Sequence, residues 1–162
     1  MITNENEIAL KVVEALRDPS FTTQPGECQK FVREVVEQCG DAEDVAVMDA
    51  HRGATAKQTM LNFANTSFAI WSRVGVGGHP PEGVVKAGLI VYKGSATSGP
   101  DGHTGIAFHN IIDGKSVLCI GENSSRHIRN PGIFHNQAQT QGAKGWIVFD
   151  PDFGPIEMVV EV

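Results

Sequence analysis

The sequence predicts an α+β domain in which N-terminal helices cover one face of an antiparallel sheet. Helical patterns fill the first half of the chain, and short β-rich runs separated by Gly, Pro, Asn and Asp fill the second half. Helices followed by strands are typical of this segregated architecture rather than of alternating βα units. The 162 residues show no repeat and no linker, so a single domain over residues 1–162 is expected.

Three segments are predicted to be helical. In residues 4–17 apolar side chains recur three and four positions apart, as on one face of a helix. The run CQKFVREVVEQC, which starts at Cys28, has the same spacing over eleven further residues and is closed by Gly40. A third helix is expected over residues 54–71, where Ala, Met, Leu and Phe are frequent.

The second half contains the predicted strands. They are the runs LIVY, TGIAFHNII, SVLCI, GWIVF and IEMVVEV. The Asp-Gly pair at 113–114 lies between two of them and indicates a two-residue hairpin turn with positive φ. Counting outward from that turn places His103 and Glu122 as diagonal neighbours on one sheet face. Gly105 and Ala107 share this face, and their small side chains are expected to leave room for a helix end.

Cys28 opens the second predicted helix and lies on its apolar stripe, so its thiol should point toward whatever this helix packs against. The free amides and the positive dipole end of a helix favour the thiolate, which is the reactive form. A buried structural cysteine would give the same pattern. The chain has three cysteines, an odd number that does not indicate a disulfide framework and leaves at least one free thiol.

His103 and Glu122 could complete a triad with Cys28. The imidazole would take the thiol proton, and the carboxylate would fix the tautomer of the ring. A bulge in the hairpin would exchange the two faces, so Asn123 is the alternative orienting residue. A polar residue at a strand end remains the other interpretation of His103.

Several motifs resemble landmarks of the NlpC/P60 and CHAP amidases over residues from about 24 to 150. GECQKFVREVVEQCG resembles their nucleophile helix, GHTGIAF their strand with the catalytic His, and CIGENSS the strand end that supplies a Glu and an Asn. KAGLIVYKG and KGWIVFDPD are similar to two further strands of these domains. The resemblance implies a papain-like fold and a cysteine peptidase or amidase that hydrolyses peptidoglycan peptides through a thioester.

The chain departs from the family pattern at two places. Glu122 and Asn123 are adjacent where CHAP domains have Glu-x-Asn, and Gln29-Lys30 follows Cys28 where NlpC/P60 enzymes have Ser-Gly. The resemblance also implies that Gln24 helps to bind the oxyanion, beside the amide of Cys28. An ordinary loop glutamine is the alternative.

Charge and composition limit the partners. A net charge of −6 argues against nucleic-acid binding, and no stretch is long and apolar enough to span a bilayer. The acidic N-terminal segment does not resemble a signal peptide, so we expect synthesis in the cytoplasm. Delivery to the cell wall by a phage or a secretion machine fits this expectation, and a cytosolic hydrolase is the alternative. Histidine and cysteine spacing indicates no metal site, and no cofactor is expected. Arg126 and Arg129 are candidates to bind a substrate carboxylate, or belong to a solvated loop.

Two further interpretations of the function stay open from the sequence. One is a cysteine hydrolase or transferase that acts on an amide outside the cell wall. The other is a binding or assembly module that keeps the fold without catalysis. A thiol-directed probe distinguishes them, because it should label Cys28 readily in a hydrolase and only as an ordinary thiol in a binding module.

Overall fold

The computed structural model describes residues 2, 5–17, 27–73, 80, 83–94, 100–112, 114–122, 133–134 and 156–162. In chain order, these residues form the helices α1 Glu5–Arg17, α2 Glu27–Cys39, α3 Ala42–His51 and α4 Ala56–Phe63, and the strands β1 Ala69–Ser72, β2 Ile90–Lys93, β3 His103–Ile112, β4 Lys115–Gly121, β5 Ile133–Phe134 and β6 Met158–Val160.

The strands form one sheet in the order β1-β6-β2-β3-β4-β5, and every neighbouring pair is antiparallel. Side chains of α1, α2 and α4 share a buried cluster with one face of β2, β3, β4 and β6. A second apolar cluster lies on the opposite face, around Val91, Ala107, Ile120 and Val159. The predicted α+β class, with helices on an antiparallel sheet, is therefore confirmed.

Helix α2 forms and packs as its sequence predicts. Phe31, Val32, Val35 and Val36 are fully buried, because they recur on the face that meets the sheet. The helix begins at Glu27, one residue before the predicted start, and its acidic side chain suits the positive end of the helix dipole. Cys28 consequently lies in the first turn of α2, at the edge of the buried cluster.

The β3–β4 hairpin has the register that the Asp-Gly turn predicts. Ile112 pairs with Lys115, and the ladder continues without a shift to Ile106 paired with Gly121. Gly114 has a φ of 76°, which is the left-handed conformation that this turn requires. Because no bulge interrupts these pairs, the face assignment of β3 and β4 follows from simple alternation.

The predicted helix over residues 54–71 is wrong in its second half. Helix α4 ends at Phe63, and residues 69–72 form strand β1 instead. β1 pairs with β6 near the other end of the chain, so long-range pairing decides its conformation.

Helix α3 was not predicted, because only Asp44 and Met48 of this helix are buried and no apolar stripe marks it. Its local signal is the capping box of Asp41 and Asp44.

The remaining predicted strands divide into two groups. LIVY and IEMVVEV contain most of β2 and all of β6, whereas GWIVF lies outside the described residues. The short strand β5 was not predicted. Within the part of the chain that the structure describes, no helix has the length and apolar character needed to cross a membrane.

Candidate active site

The start of β3 and the end of β4 bring an imidazole and a carboxylate together. His103 Nε2 lies 2.5 Å from Glu122 Oε2. Glu122 is fully buried and His103 is 15% exposed, so water does not compete strongly for this hydrogen bond. Among the described residues, Glu122 Oε1 has no hydrogen-bond partner. The carboxylate therefore directs its one described interaction at the His103 ring.

Cys28 lies within hydrogen-bonding reach of the same imidazole. Since Nε2 is engaged by Glu122, Nδ1 is the ring nitrogen left for the thiol. Cys28 is half-buried and not part of a disulfide. Cys28 of helix α2 and Glu122, which follows strand β4, are thus both brought to the His103 ring at the start of strand β3.

The surroundings raise the pKa of His103. Burial by itself would lower it, but hydrogen bonds to Cys28 and Glu122 and the charges of these partners outweigh burial and raise the pKa to about 9. The imidazole therefore carries its proton at neutral pH. An imidazolium held between a thiol sulfur and a carboxylate can stabilise negative charge on the sulfur and can donate a proton to a leaving group.

The role of Gly105 differs from the one expected. A Cβ at this position would lie 2.7 Å from Ile120 Cγ2, 2.8 Å from Gly121 O and 3.3 Å from Glu122 Cβ. The missing side chain makes room for the neighbouring strand β4 and for the base of Glu122, not for a helix end. Ala107, the other small residue predicted to make that room, packs into the apolar cluster on the sheet face opposite the helices.

Two residues of β2 that the sequence did not single out lie beside the site. Lys93 pairs with His103 in the β2–β3 ladder and is 1% exposed, so its side chain shares the sheet face of His103. Tyr92 is buried on the helix side, and burial raises the pKa of its hydroxyl. The connection between β2 and β3 is nine residues long, unlike the two-residue turn between β3 and β4, so this register could not be counted from the sequence.

A second missed group is the polar contact set of Gln29, the residue after Cys28. Gln29 is 6% exposed, and its Oε1 accepts a hydrogen bond of 2.5 Å from the Thr59 hydroxyl. The side-chain amide of Gln29 donates to Gly53 O over 3.4 Å. These hydrogen bonds join residues that are 24 and 30 positions apart, so no local sequence pattern predicts them.

Other predicted site residues lie outside the described residues. They are Gln24, Asn123, Arg126 and Arg129. Within the described ranges there is no group of three or more His, Cys, Asp or Glu side chains that could hold a metal ion. His109 lies six residues after His103 on β3, and the ring of His51 stacks on Phe63 at 4.4 Å.

Comparison of the chain with protein-family models, with curated proteins and with solved structures finds no match.

Proposed function

We propose that the protein is a cysteine amidase or endopeptidase that cleaves amide bonds of peptidoglycan peptides, with Cys28 as nucleophile, His103 as acid and base, and Glu122 as the residue that orients His103. The observation that carries the proposal is the 2.5 Å hydrogen bond between a buried Glu122 and an imidazole that also reaches Cys28.

The three residues suit nucleophilic catalysis for separate physical reasons. Cys28 is in the first turn of α2, where the helix dipole stabilises negative charge on sulfur. The Glu122 carboxylate fixes the orientation of the His103 ring and supports its positive charge. The raised pKa of His103, about 9, keeps the ring protonated at neutral pH, as a donor to a leaving amine must be.

Acylation follows from this arrangement. The Cys28 sulfur forms a bond to the amide carbon, and the carbonyl π electrons move to oxygen. When this oxyanion collapses, the C–N bond breaks and the His103 proton moves to the departing nitrogen, which leaves as the amine. The backbone amide of Cys28, a first-turn amide that the helix itself does not use, is a donor for the oxyanion. Gln24 is the proposed second donor.

Deacylation uses His103 in the opposite direction. The now neutral imidazole takes a proton from water while the water oxygen attacks the thioester carbon. Collapse breaks the C–S bond, releases the carboxylic acid and returns the sulfur to its place beside the imidazolium. No redox partner, cofactor or metal enters this sequence of steps.

The substrate class comes from the resemblance to the NlpC/P60 and CHAP amidases. Their GHTGI-like strand and nucleophile helix correspond to the segments that here carry His103 and Cys28. Peptidoglycan peptides offer both the amide between N-acetylmuramic acid and L-alanine and amides within or between peptide stems. Arg126 and Arg129 are proposed to bind the carboxylates of these stems.

The test is mass spectrometry of soluble products released from purified sacculi of several peptide chemistries. The wild-type protein is compared with Cys28→Ala and with Cys39→Ala, which removes a second half-buried thiol from the same helix. We expect release by the wild type and by Cys39→Ala, and none by Cys28→Ala. The masses of the products identify the bond that is cut.

Two results would contradict the proposal in different ways. If no sacculus is digested but Cys28 reacts with a thiol-directed probe in a His103-dependent manner, the hydrolase acts on an amide outside the cell wall. If Cys28 reacts like an ordinary thiol and His103→Ala does not change its reactivity, the site is not catalytic, and a binding module becomes the better description.

A further inference from the structure

We propose that helix α4 is the positioning element of the site, because its N-terminal half holds both the segment of the nucleophile and the segment of the base. The inference rests on the proposed function of Cys28 and His103. It assigns positioning roles to Thr59 and Gln29, which contact no reacting atom, and to the close packing of the α4 backbone against Gly102.

The first connection runs from α4 to the nucleophile helix. The Thr59 hydroxyl donates to Gln29 Oε1 over 2.5 Å, and both side chains are buried, at 2% and 6% exposed. The same hydroxyl oxygen accepts the Gly53 amide at 2.9 Å, while the Gln29 amide donates back to Gly53 O. Gln29 is adjacent to Cys28, so this buried network fixes the first turn of α2 against α4.

The second connection runs from α4 to the strand of the base. The Lys57 amide, which lies in the first turn of α4 and has no acceptor within the helix, donates to Asp101 O over 2.9 Å. Gly102 follows with a φ of 70°, and a Cβ there would lie 2.8 Å from Lys57 N and 2.9 Å from Lys93 O. Only glycine permits this approach, which ends one residue before His103.

The two connections act at neighbouring positions of one short helix. Lys57 and Thr59 are two residues apart, so their separation is fixed by helix geometry. The residue after Cys28 and the residue before His103 are therefore both tied to the same rigid unit. Helix α4 thereby sets the spacing of sulfur and imidazole, on which the rate of a reaction between oriented groups depends steeply.

The test is the pH profile of Cys28 alkylation by iodoacetamide, followed by peptide mapping, in the full chain. Thr59→Val removes the hydroxyl and leaves Gln29 Oε1 without this donor. We expect the His103-dependent alkylation rate of Cys28 to fall about tenfold and the profile to move toward that of His103→Ala, since a misplacement of about 1 Å can cost up to about a hundredfold. Thr59→Ser, which keeps the hydroxyl, should restore the wild-type profile.

A matched control separates positioning from stability. Thr66 follows α4, and its hydroxyl donates to Phe63 O over 2.7 Å, at the opposite end of the helix from Lys57. Thr66→Val removes a comparable hydrogen bond, so it should lower the melting temperature without changing the shape of the Cys28 profile. Alkylation of Cys39 in every variant reports general loosening of the fold. If Thr59→Val does not fold, Gln29→Met tests the same hydrogen bond from the other partner.

Three outcomes are distinguishable. A changed Cys28 profile in Thr59→Val, with Cys39 and Thr66→Val unaffected, supports the positioning role. A wild-type profile that depends on His103 but is the same in Thr59→Val and Gln29→Met overturns it and leaves the proposed function standing. A wild-type profile that is independent of His103 refutes the proposed function, and the positioning role falls with it.

Discussion

The two ends of helix α2 carry the same side chain in opposite surroundings. Cys28 and Cys39 are both free and half-buried, and the same helix presents them eleven positions apart. Cys28 is in the first turn, next to a protonated imidazole. Cys39 is in the last turn, where burial and the negative charge of Glu7 raise the pKa of its thiol to about 11.

Both thiols are half-buried, so burial does not by itself distinguish them. Both thiols border the same apolar cluster. The thiolate is favoured at the N-terminal end of a helix and disfavoured at the C-terminal end, and no basic residue in the last turn of α2 offsets the dipole near Cys39. The position of a cysteine along a helix, together with its charged neighbours, therefore separates a candidate nucleophile from a structural thiol.

The largest effect is expected from removing the His103 imidazole, which is the main difference between the surroundings of Cys28 and Cys39. We expect His103→Ala to lower the rate of amide hydrolysis by about a thousandfold, because the leaving amine loses its proton donor. The measurement is the initial rate of product release from the sacculus that the wild type digests best. His109→Ala is the matched control, since His109 lies on the same strand away from Glu122 and should keep a rate close to wild type.

Neutralising Glu122 should change the pH range of activity rather than abolish it. The hydrogen bond and the charge of Glu122 both raise the pKa of His103, so Glu122→Gln should lower that pKa by about 1 to 2 units. The alkaline limb of kcat/KM, which we expect near pH 9 in the wild type, should move down by the same amount. A limb that stays in place would show that another group controls it.

The raised pKa of His103 also predicts a pH dependence of stability. A histidine whose folded pKa of about 9 exceeds the ordinary histidine value of 6.5 stabilises the fold fully below pH 6.5 and loses this contribution as the pH rises toward 9. We expect the free energy of unfolding to fall over this range by on the order of 1 to 3 kcal/mol. Urea titrations at pH 6, 7, 8 and 9 measure it.

His103→Gln is the comparison for these titrations, because it keeps a polar side chain without the titrating proton. Buried thiols such as Cys119, whose pKa burial raises to about 12, also reduce stability at high pH, but they do so in both proteins. The difference between wild type and variant isolates the histidine. A wild-type slope equal to that of His103→Gln would contradict the prediction.

The features that could be predicted from the sequence are those set by local patterns, namely the hairpin register and the apolar stripe of α2. The Asp-Gly turn and strict alternation were enough to place Glu122 beside His103, and the apolar stripe of α2 was enough to place Cys28 near the sheet. Strand β1 and the Gln29 to Thr59 hydrogen bond depend on partners far along the chain, so no local pattern contains them. The catalytic roles of the three residues stay predictions until activity is measured.

The smallest expected effects concern the alkylation rate of Cys39, the cysteine at the C-terminal end of α2. Glu7 raises the pKa of Cys39 and Lys11 lowers it, so Glu7→Gln should speed alkylation of Cys39 and Lys11→Gln should slow it, each by a few fold at pH 8. Peptide mapping after iodoacetamide treatment measures both, with Cys28 as the internal reference. Changes of the same sign in the two variants would indicate loosening of α1 instead. Opposite changes would show that charged neighbours, and not burial alone, set the reactivity at this end of α2.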